Sequence, residues 1–541
     1  MPSKRILFRS AARERVLKGA TALAEAVRVT LGPKSKCVLI EKKWAAPLVC
    51  NDGVTIVKEI ELEDPEENLG AHMLREAAER TGDVVGDGTT TSTLLAHAIF
   101  ADGLRNLAAG ASAVDLKRGL DRGLTVAVTA LGRLSKPVAS RNEKAQVATL
   151  SAHNDAVLGD FVAQAMDRVG SEGVVTVEEA KGTETSIDVV DGMQFDRGLL
   201  SPYFITDAER QQAVLESPLI LLEEGKITGL KEFLPFLESL LPMRRPLVVI
   251  AESVEAEALA TLVVNRLRGV LDCVAVKAPG YGDRRKEMMQ DIAILTGGKF
   301  VSTDLGITLG AVKAADLGSA ARVVVDRDTT TIIGGRGDKA AIQARCEELR
   351  RHIKETTSDY DREKLEERLA RLAGGVAIIR VGAPTEAELK SRKEALDDAI
   401  SATRAAITEG IVPGGGVALL RVAPALDEEE HRCDGDERTG LRILRHALEV
   451  PARTIAENSA ADAGVVVGEI RRHPGNYGFD AARGTYCDLV EAGIVDPTKV
   501  VRVALENAVS VAGTLLLTEA TLTEIKEEPT AEPHPEFASR P

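Results

Sequence analysis

Residues 86–91 read Gly-Asp-Gly-Thr-Thr-Thr and lie between two stretches of helical character. Two glycines around an acid let the backbone approach a ligand closely, and the threonines add hydroxyls beside a run of free amides. The stretch that follows, Thr91–Phe100, has helical character, so its N-terminus points partial positive charge at an anion. Asp87 supplies the hard oxygen that magnesium prefers, so the segment suits a metal-bound polyphosphate. A Gly-Asp turn followed by a threonine N-cap reads the same six residues equally well.

With 541 residues the chain exceeds one hydrophobic core, and two to four domains are expected. Hydrophobic residues make up 44%, which excludes general disorder. A net charge of −15 disfavours nucleic acid or an anionic membrane as the principal partner. No apolar run of membrane-spanning length is expected, and the N-terminus lacks a signal-peptide core, so the reading is a cytoplasmic protein. Cys37, Cys50, Cys273, Cys346, Cys433 and Cys487 form no Cys-x-x-Cys pair, and no histidines cluster at ligand spacing. Buried thiols are expected rather than disulfides or structural zinc.

Val16, Ala20, Leu23, Ala24, Val27 and Leu31 recur at three- and four-residue steps, predicting a helix over 11–31 that Gly32-Pro33 stops. A short strand follows at Cys37–Lys43, and Pro47–Ile60 reads as a hairpin turning at Asn51-Asp52-Gly53. Residues 68–134 and 385–409 are alanine-rich and mostly helical. In the middle, Val174–Ala180 and Glu184–Val190 alternate like paired strands. Leu247–Ala251, Glu255–Arg268 and Leu271–Ala278 read as strand, helix and strand. Residues 339–372 read as a helical hairpin broken near Thr357-Ser358-Asp359. Gly414-Gly415-Gly416 interrupts a second helical region, within which Asp496-Pro497 opens a long apolar helix with an N-cap acid. From Lys526 the chain reads as a disordered acidic tail.

Thr30-Leu31-Gly32-Pro33, Asn51-Asp52-Gly53, Gly86–Thr91, the triple glycine and Asp496-Pro497 together resemble the nucleotide site of group I chaperonins, the GroEL family. Gly192–Gly198, Ala256–Asn265, Lys277–Lys286 and Thr356–Lys364 extend the resemblance over about residues 5–525. It implies a multidomain α+β chaperonin fold. A mostly helical equatorial ATP-binding domain would span 1–133 and 409–525, a small intermediate hinge domain 134–190 and 377–408, and an α/β apical domain 191–376. The implied assembly is a homo-oligomeric seven-membered ring, stacked in pairs and capped by a small co-chaperonin ring.

The resemblance also implies residue roles. Asp87 would hold Mg2+, and Gly88, Thr89, Thr90 and Thr91 the phosphates of ATP, with Thr30, Leu31, Gly32 and Pro33 as a second turn against the nucleotide. Asn51 stands where the family usually has lysine, and would offer a main-chain carbonyl to K+. Asp398 matches the carboxylate acting on the attacking water, with Asp52 assisting; the residues alone read as a solvated helix face and a turn. Gly415 would let the backbone pass the base or sugar, and Asp496 would accept from ribose hydroxyls. Asp480, Ala481 and Ala482 would lie over the adenine, with Asp480 replacing a common asparagine and altering base affinity, because a carboxylate cannot donate.

In the apical segment, Leu199, Tyr203, Phe204, Leu234, Leu237, Leu259, Val263 and Val264 match an apolar groove for unfolded polypeptide and co-chaperonin; helical spacing alone reads them as core. Arg197 and Glu386 match an ion-pair switch between neighbouring subunits. Ala395 stands where an arginine usually answers Asp155, while Arg453 and Asp462 keep charges suited to a ring–ring contact. The implied function is ATP-driven folding of enclosed polypeptides. The alternatives are a holding chaperone that cycles poorly and a small-metabolite phosphotransferase.

Overall fold

The computed structural model describes residues 4–41, 47–138, 140–152, 154–170, 173–180, 182–208, 210–302, 307–356 and 358–524. The acidic tail from Lys526 and part of the strand expected over Cys37–Lys43 lie outside them. The architecture is mixed α/β and multidomain, and the chain divides into two compact units. One joins Met1–Asp160 to Ala395–Pro541; the other is Phe161–Glu394. Both divisions fall inside the stretches assigned by resemblance to a hinge domain, within the helices Ala156–Val169 and Glu386–Glu409.

The first unit is a helical bundle made from both ends of the chain. Helix Arg9–Arg28 buries Val16, Ala20, Leu23, Ala24 and Val27, the stripe that its periodicity predicts, while Leu31 lies beyond its end. It crosses helix Pro65–Val85, which starts with Pro65 in its first turn and Asp64 accepting from the amides of Glu66 and Glu67. A Cβ at Gly19 would overlap the carbonyl of Glu67, and one at Gly70 the carbonyl of Val16, so these glycines set how closely the helices approach. Helix Thr498–Leu517 packs on Pro65–Val85, Thr89–Ala108 and Ala113–Leu134. It is long and apolar enough to cross a membrane, contrary to the expectation of no such run, yet most of it is buried. A helix enclosed on several sides is apolar nearly all round. Strand Lys4–Phe8 pairs antiparallel with Ala520–Glu524, joining the two ends of the described chain.

Two local expectations for this unit are corrected. Asn51-Asp52-Gly53 does not turn a hairpin: strand Val38–Ile40 pairs with Leu48–Cys50, and helix Gly53–Glu59 begins immediately afterwards. Asp52 is that helix's N-cap, accepting from the amides of Val54 and Thr55 at 3.3 and 2.7 Å. The same turn chemistry serves both geometries, and packing of Ile56 and Val57 into the core selects the helix. Asp496, in turn, is not the cap of the long apolar helix. It lies on strand Val495–Pro497, paired with Ile411–Pro413, and Pro497 occupies the cap position without a side-chain bond.

The second unit is built on a twisted sheet whose strands run Cys273–Lys277, Leu247–Ala251, Leu219–Glu223, Gly318–Val325, Thr330–Gly335 and Gly192–Phe195. The first three are parallel, with helix Ala256–Leu267 crossing between two of them, as the strand-helix-strand reading expects. Their stretches Cys273–Val276, Leu247–Ala251 and Leu219–Leu222 are apolar and buried because both faces are covered. Helices Lys339–Glu355 and Asp359–Gly374 form the expected hairpin, buried through Ile342, Cys346, Leu349 and Leu372. Strands Val174–Glu179 and Ser186–Val190 do not pair with each other, as their alternation suggests. Val376–Val381 lies between them, parallel to the first and antiparallel to the second. Periodicity marks a half-buried strand but carries no information about a distant partner.

Candidate functional site

The loop 86–91 is the junction of two helices. Helix Pro65–Val85 ends at Gly86, φ 71°, and helix Thr89–Ala108 starts after Gly88, φ 80°. Both glycines are left-handed, a conformation costly for side-chain-bearing residues. The second helix therefore begins two residues before the expected Thr91, and its cap is Gly88 with no side-chain bond, so the threonine N-cap alternative does not hold. The amides of Thr89, Thr90 and Thr91 occupy the first turn, where no intrahelical carbonyl can reach them.

Around this turn lies a cavity of about 360 Å3, within the first unit and of the size of small-molecule sites. Asp87, Gly88, Thr89, Thr90 and Thr91 form one wall. Thr30, Leu31, Gly32 and Pro33 form a second, joined to the first by the Thr30 and Thr90 hydroxyls, 3.1 Å apart. Asn458 holds that turn by donating to the carbonyls of Arg28 and Leu31, both at 2.8 Å. Asn51 and Asp52 enter from the strand-to-helix junction, and Asp398 from helix Glu386–Glu409. Gly415, φ 63°, presents open space on its Cβ side, with no atom nearer than 3.9 Å. Asp480, Ala481, Ala482 and Asp496 complete the enclosure. Residues separated by almost the whole chain thus share one cavity.

Two acids behave differently from the expectation. Asp480 is buried, and its carboxylate accepts from the amides of Ala482 and Arg483 at 3.0 and 3.2 Å. Through Oδ1 it fastens the turn between strands Tyr477–Asp480 and Thr485–Asp488. Asp496 keeps some surface on the cavity while protein encloses its carboxyl. Lost solvation, and then the Asp87 charge, push its pKa up to about 7.

Among the described residues no three His, Cys, Asp or Glu side chains converge as a metal cage. Magnesium takes one or two carboxylates and completes its shell with phosphate and water oxygens. Glycine-flanked Asp87, three first-turn amides and neighbouring hydroxyls form a donor set suited to a metal-bound polyphosphate.

The family model for the TCP-1/cpn60 chaperonin family matches residues 23–526. The chain is also 64% identical over 527 residues to Chaperonin GroEL 5 of Bradyrhizobium diazoefficiens, covering 97% of each chain. It belongs to the chaperonin family, in the GroEL group.

In the second unit of this chaperonin the candidate polypeptide-binding residues separate into three sets. Tyr203, Leu234 and Val264 are 65%, 41% and 43% exposed, and Leu199, Leu259 and Val263 are half-buried against the core. Phe204 and Leu237, at 0% and 4%, are core residues and are corrected as such. In the turn Pro202–Phe204 and on helix Leu230–Leu240, neighbouring side chains alternate between surface and interior, which a list of apolar positions does not distinguish. Sequence reading missed Leu267, which extends the exposed row of helix Ala256–Leu267 three residues beyond Val264.

Of the remaining candidates, Arg197, Asp155, Arg453 and Asp462 have partners within the chain. Arg197 lies over the Tyr281 ring at 5.2 Å, while Glu386 is exposed at the start of its helix. Asp155 caps helix Ala156–Val169 through the amides of Val157 and Leu158, and Ala395 is buried. Arg453 pairs with Glu449, and Asp462 caps helix Ala463–Arg472. In the cavity, Ser151, Asn154, Phe479 and Ile494 were also missed. Short-range pattern gave no signal for them, since their position depends on tertiary packing.

Proposed function

We propose that this chaperonin hydrolyses ATP in the cavity of its first unit and uses the cycle to fold polypeptides. The observation that carries the reading is the convergence of Asp87, Asp398 and the first-turn amides of Thr89–Thr91 on one cavity. Bound Mg2+ would neutralise charge on the triphosphate. Asp87 would ligate it, the amides and hydroxyls of Thr89, Thr90 and Thr91 would hold phosphate oxygens, and Asn51 would lend a carbonyl to K+. Asp398 would orient the attacking water and accept its proton. Asp52 would assist there while serving as a helix cap. Gly415, Ala481 and Ala482 would flank base and sugar, with Asp496 on the ribose and Thr30–Pro33 over the nucleotide.

Residues 1–133 and 409–525 would act as the equatorial domain, 134–190 and 377–408 as the hinge, and 191–376 as the apical domain. The exposed row of Tyr203, Leu234, Val264 and Leu267 supports non-specific capture of unfolded chains and a co-chaperonin, because burying apolar area has no directional requirement. In a homo-oligomeric ring of seven, Arg197 would pair with Glu386 of a neighbouring copy and release it on ATP binding.

Phosphate release and refolding of a denatured enzyme, each measured with and without ATP and co-chaperonin, test the reading. Asp398→Ala is expected to lower turnover by about 100-fold or more while nucleotide binding persists. Wild-type turnover in that variant would overturn the assigned chemistry. Suppressed aggregation without ATP-dependent refolding would favour the holding chaperone.

A further inference from the structure

Asp87 stands between two left-handed glycines, outside either helix, so the helical backbone does not fix the plane of its carboxylate. Hydrogen bonds to its two oxygens do. Oδ1 accepts from the amide of Gly88 at 2.5 Å, and Oδ2 accepts from the Ser151 hydroxyl at 3.1 Å. Metal-ligating carboxylates are commonly oriented by hydrogen bonds of this kind.

Ser151 is itself well held. It ends helix Arg141–Ser151, whose start is fixed by reciprocal bonds between Ser140 and Glu143. One turn before Ser151, Val147 is buried with Ala402, Ala406, Ile411 and Val495. Ala402 lies one turn beyond Asp398 on its helix, and Val495 precedes Asp496. One apolar cluster therefore ties together the elements carrying Ser151, Asp398 and Asp496.

We propose that Ser151 is a positioning residue that aims the Asp87 carboxylate at the metal ion of the nucleotide site. The inference rests on the reading of this cavity as a metal–nucleotide site, and the experiment separates the two. Mn2+ is titrated into full-length protein saturated with ADP, with free Mn2+ followed by electron paramagnetic resonance, for wild type, Ser151→Ala and Ser151→Thr. ADP affinity is measured in parallel in EDTA. Ser151→Ala is expected to weaken Mn2+ binding about tenfold, leave metal-free ADP affinity unchanged, and be rescued by Ser151→Thr. Wild-type Mn2+ affinity in Ser151→Ala would overturn the role of Ser151 and leave the site reading intact. An equal loss of metal-free ADP affinity would also overturn it, since Ser151 would then shape the wall and not the metal site. Absence of ADP-dependent Mn2+ binding in the wild type would overturn both.

Discussion

At the scale of single residues, acids that look alike in the sequence do different work. Asp480 uses its carboxylate on two backbone amides, and its pairing with the exposed Arg483 adds little. Asparagine retains the accepting oxygen. Asp480→Asn should therefore leave ADP affinity unchanged in a calorimetric titration, whereas Asp480→Ala should cost about 1 kcal/mol of stability. Asp496 has the opposite problem, since folding raises its pKa to about 7 from an ordinary value near 4. The folded protein holds a proton that the unfolded chain releases in that window, so stability falls as pH rises from about 4 to about 7. In nucleotide-free protein, Asp496→Asn should raise Tm at pH 8 and leave it unchanged at pH 4. An equal shift at both values would show that the carboxyl is not strained by ionisation.

At the scale of elements, glycine position decides whether a change helps or harms. Alanine is favoured over glycine in a helix interior by roughly 0.5–1 kcal/mol. At Gly132, with nothing within 4 Å of an added Cβ, Gly132→Ala should stabilise by that amount. At Gly70 the new methyl overlaps the Val16 carbonyl of the crossing helix, and overpacking of about 1–3 kcal/mol outweighs the propensity gain. Denaturant unfolding of both variants should show shifts of opposite sign. The same distinction explains what was legible in the sequence. Helix Arg9–Arg28, the hairpin 339–374 and the strand-helix-strand unit follow from periodicity, which is local. The placement of Val376–Val381 between two strands that look like partners does not, because pairing depends on contacts across nearly 200 residues. In the cavity, every residue taken from the family resemblance for the nucleotide lines one wall or another, while Ser151 is recognised through its place in the lining and its bond to Asp87. In the second unit, apolar character alone could not separate exposed Tyr203 from buried Phe204 beside it.

At the scale of the whole molecule, the second unit owns its core. Its largest apolar cluster runs from Met193 to Leu372 and draws on no residue of the first unit. Residues 191–376 expressed alone should therefore unfold in one cooperative transition, followed by circular dichroism and calorimetry, and should not hydrolyse ATP. A non-cooperative melt would mean that the cluster needs support from elsewhere in the chain. The first unit cannot be excised so simply, because among the described residues strand Lys4–Phe8 pairs with Ala520–Glu524 alone. During synthesis on a ribosome, strand Lys4–Phe8 must wait until Ala520–Glu524 has emerged before its ladder can close. The inserted unit can mature meanwhile, and the cavity walls supplied by Asp480 and Asp496 emerge after it. A nascent chain interrupted before them would carry the exposed apolar row of the inserted unit while the cavity still lacked two of its walls.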